Sequence, residues 1–205
     1  VGSKLIKSSS DLELSLNMSI INLRKVSSTY ASRKILNDRR NLNKQFKENQ
    51  NKKNIIKVKS PTDPQEFDKY LDDVLKDNPD FPLTKQELNK LIDTSNKKEI
   101  LGLISKSTVD INLSSMDDFM DYVGAITNNK IGFGHKISYY RKFSKVGKEY
   151  GLSVTEGHTS EAFANYISLT SEKEFGEIYK KLMSYYAPET TQAFDEILKE
   201  IGDIL

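Results

Sequence analysis

A chain of 205 residues with no cysteine cannot carry a disulfide framework, a thiolate metal site or a cysteine nucleophile. Its charged fraction of 29% lies above the about 25% of ordinary domains, yet nine Phe and ten Tyr supply material for a core. No run of about 18 apolar residues occurs, so no segment is expected to cross a membrane.

The net charge of +2 hides a split. Residues 1–59 hold 14 Lys/Arg against 4 Asp/Glu, a balance of +10, and residues 60–205 carry −8. A basic arm on an acidic body can bind nucleic acid or an acidic partner surface, or simply be solvated. Val1-Gly2-Ser3, with no initiator methionine ahead of it, reads as an internal cut.

Leu12, Leu14, Leu16, Met18 and Ile20 alternate as in a strand, although Leu12, Leu16, Ile20 and Leu23 also fit a helix. Residues 30–59 are rich in Asn, Lys and Arg, and their few apolar side chains cannot by themselves offset the entropy of ordering. They are expected to form an extended or helical connector that leans on another subunit.

The body begins at Ser60-Pro61-Thr62-Asp63-Pro64. Asp63 suits an N-cap, Pro64 the first helical position and Glu66 the third. Phe67, Tyr70, Leu71, Val74 and Leu75 then share a helix face, which Asn78-Pro79-Asp80-Phe81-Pro82 ends. Thr84 and Glu87 predict a capping box ahead of Leu88, Leu91 and Ile92; Asn96 and Glu99 open a helix with Ile100, Leu101 and Ile104. Ser115 and Asp118 cap another, carrying Phe119, Met120, Val123 and Ile126 until Asn128-Asn129-Lys130, Gly132 and Gly134 break it.

Gly132-Phe133-Gly134-His135 lacks the spacing of a phosphate-binding loop. The following Lys136, Tyr139, Tyr140, Arg141 and Lys142 suit a half-buried helix with snorkelling cations better than a stacking platform for bases. His158 falls in a predicted loop, and Ser160 caps a helix whose first turn carries Glu161. Glu161 and Asn165 form its polar face, opposite Phe163 and Ile167. Glu161 is then either a ligand or base, or a carboxylate favoured by the helix dipole. Phe175, Ile178, Tyr179, Leu182, Met183 and Tyr186 define an amphipathic helix. Pro188 opens the last one, with Ala193, Phe194, Ile197, Leu198, Ile201 and Leu205.

His135, His158 and Glu161 together make two imidazoles and one carboxylate, a donor set sufficient for zinc with an open position. No His-Glu-x-x-His motif occurs.

The pattern Asn128-Asn129-Lys130-Ile131-Gly132-x-Gly134-His135-x-x-Ser138-Tyr139-Tyr140, then Glu161-Ala162-Phe163-Ala164, then Tyr186-Ala187-Pro188-x-Thr190 resembles the C-terminal region of minor head (head morphogenesis) proteins from phages of Gram-positive bacteria. The match covers roughly residues 116–205. That region is in turn similar to the catalytic domain of anthrax-lethal-factor-type zinc peptidases, where a Glu-x-Phe-Ala-Glu helix supplies the third zinc ligand. The resemblance implies a ligand position for Glu161 and packing positions for Phe163 and Ala164. Asn165 stands where that family has a second carboxylate. Gly134-His135-Lys136-Ile137-Ser138 keeps at most one histidine and lacks the general-base Glu.

The resulting expectation is a mainly α protein: a compact helical body resembling a degenerate zincin-like domain, with an extended basic N-terminal arm. Its parts are an arm over 1–59, a helical subdomain over 60–115 and the lethal-factor-like domain over 116–205. The expected function is that of a virion-associated structural protein, present in the virion or host cytoplasm and contacting capsid or portal subunits. Arg33, Lys34, Arg39, Arg40, Lys44 and Lys47 would contact DNA. The alternative is a zinc-dependent peptidase toxin or effector, or its inactive remnant, with zinc held by His135, His158 and Glu161.

Overall fold

The computed structural model describes residues 29–49, 64–92, 97–106, 117–131 and 154–203. These form eight helices with no strand among them. In chain order they are α1 (29–49), α2 (Pro64–Asp77), α3 (Lys85–Leu91), α4 (Lys97–Ser105), α5 (Asp117–Thr127), α6 (Val154–Thr170), α7 (Gly176–Tyr186) and α8 (Pro188–Gly202). The mainly α, compact helical body expected from the sequence is what the chain adopts. The 12–20 segment and the 132–142 segment lie outside the described residues, as do Ser115 and Asn96.

Local chemistry sets most helix ends. Pro64 is the first residue of α2, where its missing N–H costs no hydrogen bond. After α2, Asn78 folds back, its Nδ2 donating to the Val74 carbonyl at 2.8 Å. The capping box of α3 forms as predicted: Glu87 N donates to Thr84 Oγ1, and Thr84 N to the Glu87 carboxylate at 2.8 Å. Asn128 and Asn129 both stand in the left-handed region (φ 59 and 57), the conformation that terminates helices and that Asn tolerates. Asn129 N then reaches back to the Gly124 carbonyl at 2.8 Å. Between α6 and α7 the backbone passes so close that a methyl on Gly176 would lie 2.7 Å from the Thr170 carbonyl oxygen.

At the centre is α5. Phe119, Met120, Tyr122, Val123, Ala125 and Ile126 are all buried, so most of this helix's circumference is covered, with Asp118 exposed and Asp121 half-buried on the remaining side. Its closest partner is α6, and α7 and α8 pack against α6 and each other. Phe119 lies against Tyr179 and Tyr186 of α7, with ring centroids 6.2 and 6.1 Å away. Phe163 and Tyr166 of α6 meet Phe194 of α8 at 5.0 and 5.4 Å. Each such ring, fully buried, contributes about 1.5–3 kcal/mol of transfer free energy.

The α2–α4 helices join the same apolar core rather than forming one of their own. Phe81 packs edge-on to Tyr185, and Tyr186 OH donates to the Leu103 carbonyl at 2.7 Å. Lys181 of α7 pairs with Glu87 of α3, holding that carboxyl down at about 2.

Three expectations need correction. Residues 29–49 are not an extended arm: α1 buries Ala31, Ile35, Leu42 and Phe46, at most 2% exposed, in the chain's own core. Four apolar side chains at helical spacing suffice because buried polar groups of the same face, Ser32 and Asp38, are hydrogen-bonded within the body. Second, α6 starts at Val154, so Ser160 lies inside it and Glu161 is in its third turn, beyond the reach of an N-terminal dipole. Third, α6 faces the core with Ala162, Tyr166 and Leu169, leaving Ile167 39% exposed. The apolar residues of α6 lie on several sides, so spacing alone did not single out the inner face.

Candidate functional site

Two places gather the residues singled out in the sequence. The first is the turn of α6 carrying His158 and Glu161. His158 is in the helix rather than a loop, and is 2% exposed. Its neighbour Thr159 is buried too and shares a 2.7 Å hydrogen bond with Ser32 of α1, so α1 lies across this turn. Glu161, one turn on, is half-buried and has interactions within the chain. One turn further, the Asn165 Nδ2 group is buried with no hydrogen-bond partner among the described residues.

His135, the remaining expected ligand, lies outside the described residues. Among the described residues no three His, Cys, Asp or Glu side chains converge as a metal site. His158 and Glu161 alone supply two donors, where catalytic zinc takes three from protein and keeps a fourth position open to water. The described residues by themselves therefore do not fit a zinc centre, and an imidazole this deeply buried has no open side toward solvent.

The second place is α1. Its inner face is polar as well as apolar. Asp38, 1% exposed, accepts from Thr190 N and Thr190 Oγ1, both at 2.7 Å. Thr190 is in the first turn of α8, whose own N-cap, Ala187, offers no side-chain acceptor. Asp38 thus caps α8 from another helix, in the position where the helix field favours an anion. Burial nevertheless raises the pKa of Asp38, outweighing the hydrogen bonds that favour its charge.

Arg39 serves the opposite kind of helix end. Its Nε donates to the Ile126 carbonyl at 2.6 Å and its Nη2 to the Ala125 carbonyl at 3.0 Å, in the last turn of α5. With Asn129 N on Gly124, and Thr127 Oγ1 donating to Val123 O, the carbonyls of residues 123–126 near the end of this buried helix all have donors. Lys34 pairs with Glu189 at 3.0 Å, Asn37 donates to the same carboxylate, and Tyr30 OH donates to Glu196 at 2.9 Å. Lys34 draws the Glu189 pKa down by that hydrogen bond.

The six expected DNA contacts therefore divide. Lys34 and Arg39 are engaged inside the chain, as tethers of α1 to α8 and α5. Arg33, Arg40, Lys44 and Lys47 are exposed on the outer face. Among the described residues, only Lys44 of these four has an ionic neighbour, Glu48 at 3.9 Å, and both side chains are more than half exposed. Such a pair is worth well under about 1 kcal/mol.

Reading the sequence as a charged run missed Asp38. The signal was present: between Glu13 and Glu48 it is the single acid in a stretch of cations. Lys106 was missed too. It stands at φ 50 just past α4, its Nζ 4.1 Å from the Tyr185 ring centroid and hydrogen-bonded to Gln45 of α1.

No family model matches this chain, and no curated protein or solved structure is significantly similar to it.

Proposed function

We propose that the chain is a virion-associated minor head, or head-morphogenesis, protein of a phage of Gram-positive bacteria, working as a structural part that contacts capsid or portal subunits. The reading rests on the residue pattern from Asn128 to Thr190. One structural observation supports it: Glu161-Ala162-Phe163-Ala164 lies on a long continuous helix, with Ala162 buried and Phe163 packed on Phe194. Of the two packing positions the resemblance implies, Phe163 lies against Phe194 and Ala164 is exposed. Affinity capture of the tagged full chain from phage-producing host cells tests it. Portal or major capsid subunits should copurify in stoichiometric amounts; recovery of host proteins alone would contradict it.

A second reading, a lethal-factor-type zinc peptidase or its remnant, draws on one observation. His158 and Glu161 are one helical turn apart on α6. It requires stoichiometric zinc in the purified chain and its loss in Glu161→Ala. Elemental analysis that finds no transition metal ends that reading.

A further inference from the structure

We infer that the outer face of α1 is a phosphate rail for duplex DNA, formed by Arg33, Arg40, Lys44 and Lys47. Rotation of about 100° per residue brings positions 33, 40, 44 and 47 within about 60° of one another on the helix circumference. The opposite side is the one that buries Ala31, Ile35, Asp38, Leu42 and Phe46. From first to last cation the rail runs about 21 Å, a straight line of charge on a helix anchored to the body.

Three observations favour an anionic polymer of regular charge spacing. First, the helix's acids leave the rail clear: Asp38 is turned inward to cap α8, and only Glu48 shares the outer side, at its end. Second, the two cations off the rail are the two used internally, Lys34 on Glu189 and Arg39 on the α5 carbonyls. The cations left outside therefore add to no contact within the described residues except the loose Lys44–Glu48 pair. Third, of the other exposed amides of α1, Asn37 donates to Glu189 and Gln45 accepts from Lys106, while Asn41 is left to donate to phosphate oxygens; none offers a flat ring for stacking. Among the described residues of α1, Tyr30 is the exposed aromatic, with its hydroxyl on Glu196 and its ring beneath Lys34. Single strands are held by base stacking as well as charge, whereas a duplex presents only its phosphates to such a surface. The rail should therefore hold the backbone without reading bases.

This inference rests on the head-protein reading for its setting, as a surface facing packaged genome, but its test is separate. Binding of the purified full chain to a random-sequence DNA duplex is measured across a salt series. It is repeated for the variant Arg33→Gln, Arg40→Gln, Lys44→Gln, Lys47→Gln, and for a control, Lys69→Gln with Lys76→Gln, on exposed positions of α2. Glutamine keeps helix propensity, and circular dichroism confirms that each variant is folded. Neutralising four phosphates contributes a slope of about −3.6 in log K against log salt, or about 150-fold in affinity between 50 and 200 mM. The four-site variant should lose that part of the slope and the control should keep it. Single-stranded DNA of equal length should bind the wild type more weakly. An unchanged slope in the four-site variant would overturn the inference. So would equal binding to polyglutamate, which would assign the rail to an acidic protein, or tighter binding to the single strand. A chain that copurifies with portal subunits yet fails here loses the rail and keeps the head-protein reading; the reverse outcome does the opposite.

Discussion

Asp38 and Arg39 are adjacent in the chain and each closes the end of a different helix, the anion at the start of α8 and the cation at the finish of α5. Neither helix supplies those groups itself. Removing the Asp38 carboxylate would strand Thr190 N–H and Oγ1 in a buried position, so Asp38→Ala should cost roughly 1–3 kcal/mol in urea unfolding at neutral pH. Asp38→Asn keeps an oxygen for both Thr190 donors and should cost less. The pH dependence has a definite sign. Burial raises the folded-state pKa above its ordinary 3.8, so the folded chain holds this proton more readily than the unfolded one. The contribution of Asp38 is then greatest below that ordinary value and declines as pH rises through the folded-state pKa. Measured against Asp38→Asn, the wild type should lose stability over that rise. An Ala variant within about 0.5 kcal/mol of wild type would remove Asp38 as the cap, and a difference growing with pH would contradict the upward shift of its pKa. None of this was legible from residue type: an Asp in a basic run reads as a solvated charge until the fold shows which helix end it meets.

At the scale of elements, sequence patterning was informative wherever the signal was local. The capping box of Thr84 and Glu87, Pro64 at the start of α2, the Asn128-Asn129 stop and the stripe from Ile178 to Tyr186 all depend on neighbours within one or two turns. The start of α6 was not legible because Ser160 is a good capping residue and Gly157 is a poor helix former. Burial of Gly157, His158 and Thr159 against other helices overrides both preferences. The inner face of α6 was misassigned for a related reason, since Phe163 and Ile167 flank the true core face instead of forming it. Ile201 likewise continues the stripe of α8 in sequence but is 45% exposed, because burial fades along the helix from Phe194 through the partly buried Ile197 and Leu198. Of the candidate metal site, His158 reads as a loop residue in the sequence; its place in the helix one turn before Glu161, facing inward, is visible only in the fold.

For the whole molecule, the charge split along the chain suggested an arm and a body. The fold redistributes it: among residues 29–49 the inner charges are structural tethers and the outer ones remain available. The buried residues of α1 belong to the same apolar core as those of the helices behind it, so the helix that presents the rail is packed into the body. That is the central claim, since a phosphate rail on a rigid helix has fixed spacing and a loose arm does not. Amide hydrogen exchange of the full chain, resolved by peptide, tests it directly. The account predicts that amides across residues 35–46 are protected to the same degree as those of α5 and α8, exchanging only with the opening of the core. Exchange of that segment at the rate of an unstructured peptide, while α5 and α8 stay protected, would contradict it.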